Sequence, residues 1–120
     1  MIETTTYSGD GWKVLKEFEC WKIGYLRYCD RFSELTEMEC HLKTDEVFVL
    51  LEGEAVLYTE TEAIAMERGI LYNIPKGEWH HIVVSRDTTV LVIENSNTSK
   101  GNTKKRYLDV GKQEEHDVNE

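Results

Sequence analysis

The sequence predicts an all-β fold, a single-domain jelly-roll barrel. Three observations predict it. Short runs of β-branched and aromatic residues recur with turn signals every eight to twelve residues between Leu35 and Asn95. No helical period extends over a useful length in that region. The single proline, Pro75, stands at a Pro-Lys-Gly corner and not inside a strand. A chain of 120 residues suits one domain. The expected division is an arm with edge strands at 1–34, the barrel at 35–95, and a polar loop and tail at 96–120.

Residues 1–11 are polar and read as a loose arm, with Trp12, Val14 and Leu15 as the first apolar anchors. Trp21, Ile23 and Tyr25 alternate with Lys22 and Gly24, as in a half-buried strand, while 14–21 is the one stretch where a short helix competes. A strand over 35–41 precedes the polar break Lys43-Thr44-Asp45. Glu46, Phe48 and Leu50 then share one face of the next strand, as Glu39 and His41 do before the break. If a hairpin closes over that break, Glu46 arrives beside His41. Leu51-Glu52-Gly53-Glu54 reads as a tight turn into a strand at 55–58. Short strands follow at 63–66 and 70–74.

The corner Pro75-Lys76-Gly77 delivers His80 at the start of a new strand. Residues 80–84 and 89–94 read as a hairpin around Ser85-Arg86-Asp87-Thr88. Val90 and Val92 lie on one face of the last strand, and Leu91 and Ile93 on the other, so both faces need cover. The second cover is the N-terminal segment or another subunit, and a homodimer is expected. Residues 96–106 read as a mobile loop and 109–120 as a frayed tail. His116 in that tail is not expected to be a ligand, and Lys104-Lys105-Arg106 reads as a solvated run.

The net charge of −9, from 14 basic and 23 acidic residues, disfavours nucleic acid and anionic membrane as partners. Cys20, Cys29 and Cys40 are odd in number and lack CxxC spacing, which fits a reducing cytosol and argues against a disulfide framework. The N-terminal residues are too polar for a signal peptide, and the run Val47–Leu51 is too short to span a bilayer.

Two segments carry the chemistry. His41-x4-Glu46-x6-Gly53 and Gly69-x5-Pro75-x-Gly77-x2-His80 resemble the paired motifs of the cupin superfamily. The first matches from that motif's second histidine onward, and the second through its histidine. Glu39 stands where the family has its first histidine, Ser33 where it has an opening glycine, and Val84 where it has a closing asparagine. The resemblance implies the barrel fold and a metal held by His41, Glu46 and His80, with Glu39 as a fourth, harder ligand. Such a set suits Fe, Mn, Ni or Zn.

His81 competes with His80 for the inward position, and the motif spacing selects His80, leaving His81 and Trp79 on the outer face. Phe48, Leu50, Tyr58, Tyr72 and Val84 are candidates for an apolar pocket wall around a small organic ligand. Glu39 and Tyr72 are the candidate proton-handling groups. Cys40 adjoins the cluster but points away from it. Lys43-Thr44-Asp45 is placed to brace His41 or Glu46.

The expected activity is that of a metal-binding small cupin acting on a small polar organic molecule by oxygenation or isomerisation. Two alternatives stay open. One is a non-catalytic binder of a small molecule with a degenerate metal site. The other is metal-free, epimerase-like chemistry on a His–carboxylate pair.

Overall fold

The computed structural model describes residues 1–98, 101–109 and 112–117, with the backbone alone at 109 and 112–117. Eleven strands run in chain order: β1 (Trp12–Phe18), β2 (Trp21–Arg27), β3 (Glu37–His41), β4 (Glu46–Glu52), β5 (Ala55–Thr59), β6 (Ala63–Ala65), β7 (Leu71–Ile74), β8 (His80–Val84), β9 (Thr89–Asn95), β10 (Thr103–Asp109) and β11 (Lys112–Asp117). A 3-10 turn, Asp30–Phe32, links β2 to β3. The strands form two antiparallel sheets of order β1-β2-β9-β4-β7 and β11-β10-β3-β8-β5-β6. Among the described residues no strand pair joins the two sheets into a closed barrel.

The alternation read from the sequence decides what faces inward. On β4 the buried residues are Glu46, Phe48 and Leu50, and on β9 the inward row is Val90, Val92 and Glu94, with Thr89 buried beside it. These rows lie in register, with Glu46 opposite Glu94, Phe48 opposite Val92 and Leu50 opposite Val90. His80, Ile82 and Val84 form the matching row on β8 in the other sheet, and are likewise buried. Each row is polar at one end and apolar at the other. The apolar ends join Leu57, Ala55, Leu26 and Ile74 in one core. Burying each large aliphatic or aromatic side chain contributes about 1.5–3 kcal/mol, which offsets the expense of enclosing the ionisable groups at the polar ends.

Four expectations about connections need correction. β3 and β4 do not form a hairpin, since they belong to different sheets; Glu46 reaches His41 across the gap between the sheets. β8 and β9 do not pair either. Their connecting turn is stitched instead to the β4–β5 corner. Buried Thr88 accepts from the Glu54 N–H at 3.0 Å and donates to the Glu54 carbonyl at 3.0 Å. Residues 14–21 are extended in β1 and β2, which pair through a reversal at Glu19 (φ 52°).

The fourth correction concerns the stretch expected as loop and tail. β10 pairs with β3 from Thr103–His41 to Tyr107–Glu37, and β11 pairs with β10. A polar sequence can form these strands because the backbone completes the ladder and basic side chains expected to be solvated find partners, Lys105 on Glu37 at 3.2 Å and Arg106 on Glu60 at 2.8 Å. The frayed-tail expectation at 110, 111 and 118–120 lies outside the described residues. His116 lies on β11, opposite Lys105 in the ladder. No helix among the described residues is long and apolar enough to cross a membrane.

Gly53 shows how tightly the two corners meet. Its φ is +86°, and a Cβ there would lie 2.6 Å from the Thr88 Cα and 2.8 Å from the Asp87 carbonyl oxygen. Gly77 also has a positive φ, of +84°, but faces open space. Gly53→Ala should therefore destabilise the protein by about 2 kcal/mol or more, from backbone strain and overpacking together. Gly77→Ala should lose only the strain component, about 1 kcal/mol. Urea denaturation of the two variants side by side checks the order.

Candidate metal centre

The polar ends of the inner rows meet between the sheets. His41 comes from the end of β3, Glu46 from the start of β4, His80 from the start of β8 and Glu94 from β9. The two cupin-like segments are tied together at this point. The Gly77 N–H donates to the His41 carbonyl at 2.7 Å. The Asp45 carboxylate accepts from the Lys76 N–H at 2.9 Å and from the Asn73 amide at 3.2 Å. The Lys43-Thr44-Asp45 break thus braces the second segment, and through it the strand that carries His80.

Both imidazoles aim Nε2 at one carboxylate oxygen. Glu46 Oε1 lies 2.8 Å from His80 Nε2 and 3.2 Å from His41 Nε2. The two rings are 5.5 Å apart between centroids, and the edge of Phe48 packs against His80. Each ring is anchored by its other nitrogen. His80 Nδ1–H donates to the Glu78 carbonyl at 3.0 Å. His41 Nδ1 lies 2.9 Å from Thr103 Oγ1, whose own proton goes to the Thr98 carbonyl, so Nδ1 must be the donor to Thr103. In the neutral rings both Nε2 atoms therefore carry a lone pair, directed at a carboxylate. That arrangement needs a cation between the groups or a proton on each ring.

The protonation states follow from this geometry. Burial disfavours the charged rings, but the Glu46 carboxylate outweighs it. His41 is raised to about 9, and His80 is also raised. Burial likewise disfavours ionised Glu46, but the two imidazoles facing it, His41 and the hydrogen-bonded His80, hold it well below the usual carboxylate range. Glu94, buried and facing Glu46, is pushed up to about 8.

Glu39, His41, Glu46 and His80 each offer a donor atom within 4.8 Å of the others, so the four residues predicted as ligands come together. Glu39 is the least buried of them. Its Oε1 is 3.6 Å from His41 Nε2, while its Oε2 accepts from Arg31 at 2.8 Å. Arg31 and Phe32 of the 3-10 turn, with Trp12 of β1, also line the cavity that holds these groups. The cavity is about 50 Å³, room for an ion and a few waters.

Of the other predicted site residues, one reaches the cavity and four do not. Phe48 lines the cavity. Leu50 and Val84 are core residues at the apolar ends of their rows. Tyr58 is opposite His81 on β5, so it points away from the inner row that contains His80. Tyr72 packs against the core, and its hydroxyl accepts from the Glu67 N–H at 2.9 Å. Neither tyrosine reaches the His–Glu cluster.

His80 is the inward histidine of the pair. His81 is nevertheless buried: it donates from Nε2 to the Arg31 carbonyl at 3.0 Å, stacks on Phe32, and burial lowers its pKa. Trp79 lies under the Arg106 guanidinium, 4.1 Å from the ring centre. Cys40 is buried on the opposite face of β3 from His41.

Two participants escaped the sequence reading. Thr103, which orients His41, sits in the stretch taken for a loop. Glu94 follows Val90 and Val92 on the same face of β9, so the alternation already carried it into the interior.

No protein-family model matches the chain, and no curated protein matches it. Solved structures do resemble it. A cupin-2 domain protein of Shewanella frigidimarina shares 22% identity with a TM-score of 0.59, covering 73% of this chain and 82% of its own. The nucleoside dehydratase Pac13 of Streptomyces gives a TM-score of 0.66 at 10% identity, covering 89% and 88%. A cupin-superfamily sugar phosphate isomerase of Silicibacter pomeroyi gives 0.59 at 19% identity, covering 94% and 79%. The chain has the fold of a small cupin domain.

Proposed function

We propose that the protein binds a divalent transition metal through His41, Glu46 and His80, with Glu39 alongside, and acts on a small polar organic molecule there. One observation carries the reading: two buried Nε2 atoms, each with its Nδ1 committed as a donor, converge on the same carboxylate oxygen. Among them, His41 Nε2 is a buried polar atom without a hydrogen bond of acceptable geometry. A cation is the group that satisfies all these donors at once. The bound metal would supply Lewis acidity and a template for the substrate.

The residues of the chain do the rest. Glu78 and Thr103 orient the imidazoles. Phe48, Ile82 and Val92 give the cavity its apolar side, and Trp12, Arg31 and Phe32 complete its lining. At about 50 Å³ the cavity is smaller than an ordinary ligand pocket, so an organic substrate requires lining side chains to move. The two sheets, each ending in an apolar cluster beneath the site, support reading the fold as an open jelly roll. Oxygenation and isomerisation both remain within the chemistry of such a centre.

Metal-free acid–base chemistry is the second reading. The direct 2.8 Å contact of Glu46 with His80 favours it, since a protonated imidazole beside a carboxylate is a proton-transfer pair. The cellular setting expected from the cysteines, a reducing cytosol, accords with the free thiols of Cys20, Cys29 and Cys40.

A homodimer is proposed on the outer face of the first sheet. There Ile23, Ile93 and Val47 form one apolar row across three strands, and Tyr25, Leu91 and Val49 the next. Light scattering should give twice the 14.0 kDa chain mass, and Leu91→Lys should reduce it to that of one chain. A monomeric unsubstituted protein would dismiss the dimer.

Elemental analysis of untagged protein should find about one equivalent of metal per chain, lost in His80→Ala. Equal metal content in the two proteins would sink the metal reading.

Stability should also respond to pH. With His41 raised to about 9 and Glu94 to about 8, the metal-free native state binds more protons than the unfolded chain above neutrality. The melting temperature of chelator-treated protein should therefore fall as pH rises from about 4.5, where Glu94 of the unfolded chain gives up its proton, towards 9. Below the ordinary carboxylate range it should fall again, as Glu46 takes up its proton. Added metal should remove the alkaline decline, because the cation replaces the protons. A flat alkaline limb in the metal-free protein would contradict these assignments.

A further inference from the structure

Glu94 stands outside the quartet that the two sequence segments supply. Its Oε2 lies 3.6 Å from His41 Nε2, the same distance as Glu39 Oε1 from that atom. Its side chain is 5% exposed, against 20% for Glu39. Glu39 also surrenders its second oxygen to Arg31. Glu94 Oε1 lies 3.5 Å from Lys22 Nζ and 3.3 Å from the Thr98 hydroxyl. Its Oε2 is buried, aimed into the site, and has no hydrogen bond. Position in the ladder fixes the direction, because Glu94 is the cross-strand partner of Glu46 and shares its face.

We propose that Glu94 is a fifth protein donor to the metal, giving the centre an oxygen-rich set of two imidazoles and three carboxylates that strengthens the binding of Mn2+ or Fe2+ more than that of Zn2+. The inference rests on the metal reading given above. Its chemistry is that of donor number and hardness. Zn2+ is satisfied by four tetrahedral donors, which His41, Glu46, His80 and Glu39 supply without help. Mn2+ and Fe2+ take six donors and favour carboxylate oxygen, so a fifth protein oxygen benefits them most and leaves one place for substrate or water. Lys22 and Thr98 hold the carboxylate by its other oxygen and so keep Oε2 turned inward.

The test is metal affinity, read by titration calorimetry and by the Mn2+ electron paramagnetic resonance signal. The proteins are the unsubstituted chain, Glu94→Gln, Glu39→Gln and His80→Ala. Glu94→Gln keeps the shape and the Thr98 contact, and a thermal melt establishes that it is folded. Its Mn2+ affinity should fall by about tenfold or more, while Zn2+ affinity changes by less than about threefold. Lys16→Met, which removes an exposed charge of β1 paired with Glu3, should leave Mn2+ bound within about threefold and thus separate ligation from general charge.

Loss of Mn2+ in His80→Ala with full retention in Glu94→Gln would overturn the fifth donor and leave the metal reading standing. Equal losses of Mn2+ and Zn2+ in Glu94→Gln would overturn the selectivity claim. Absence of metal binding by the unsubstituted protein would overturn both readings.

Discussion

A single carboxylate oxygen joins the two sheets at their polar end. Glu46 Oε1 belongs to the first sheet, and the two imidazoles it meets belong to the second. Among the described residues no ladder hydrogen bonds close the gap between the sheets, so side chains must do so. At the other end of the same rows, Leu50, Val90 and Val84 do it by apolar contact. The non-directional attraction of the apolar half keeps the sheets in place. The directional, distance-sensitive half then operates at a separation it does not have to set.

That division explains why so many ionisable groups tolerate burial. An isolated buried carboxylate or imidazole would change protonation state rather than remain charged. Here Glu46 stays ionised because two donors address it, and the donors stay protonated because Glu46 addresses them. Glu94, buried and facing the Glu46 carboxylate, goes the other way in spite of Lys22 and His41, and retains its proton into the alkaline range. The cluster is balanced internally, and its balance changes as a whole if a cation enters.

Much of this was legible in the residues. Alternation placed Glu46, Phe48 and Leu50 on one face, which is the inner one, whereas over β9 it left two apolar faces, of which Val90 and Val92 form the inner. Spacing around Gly53, Pro75 and Gly77 brought His41, Glu46 and His80 together. What periodicity cannot supply is which neighbours pair. Two strands joined by a short turn look like a hairpin whether they pair or cross to the facing sheet, and β3–β4 and β8–β9 cross. Tyr58 and Tyr72 were placed at the pocket for their chemistry, yet Tyr58 belongs to an outward row and Tyr72 sits apart, bound to Glu67. Thr103 was hidden by its surroundings: Ser, Asn and Lys dominate that stretch, and only the free edge of β3 makes it a strand.

The contact between Thr103 and His41 ties the tautomer of a buried imidazole to a strand that lies last but one in the chain. Every residue with a donor atom in the quartet precedes position 81, yet the ring at position 41 depends on a hydroxyl at 103 to decide which nitrogen faces inward. The C-terminal hairpin is therefore an electronic component of the centre as well as an extension of the sheet. A relative that kept all four donors but lacked this strand would present the same constellation with one ring free to turn over.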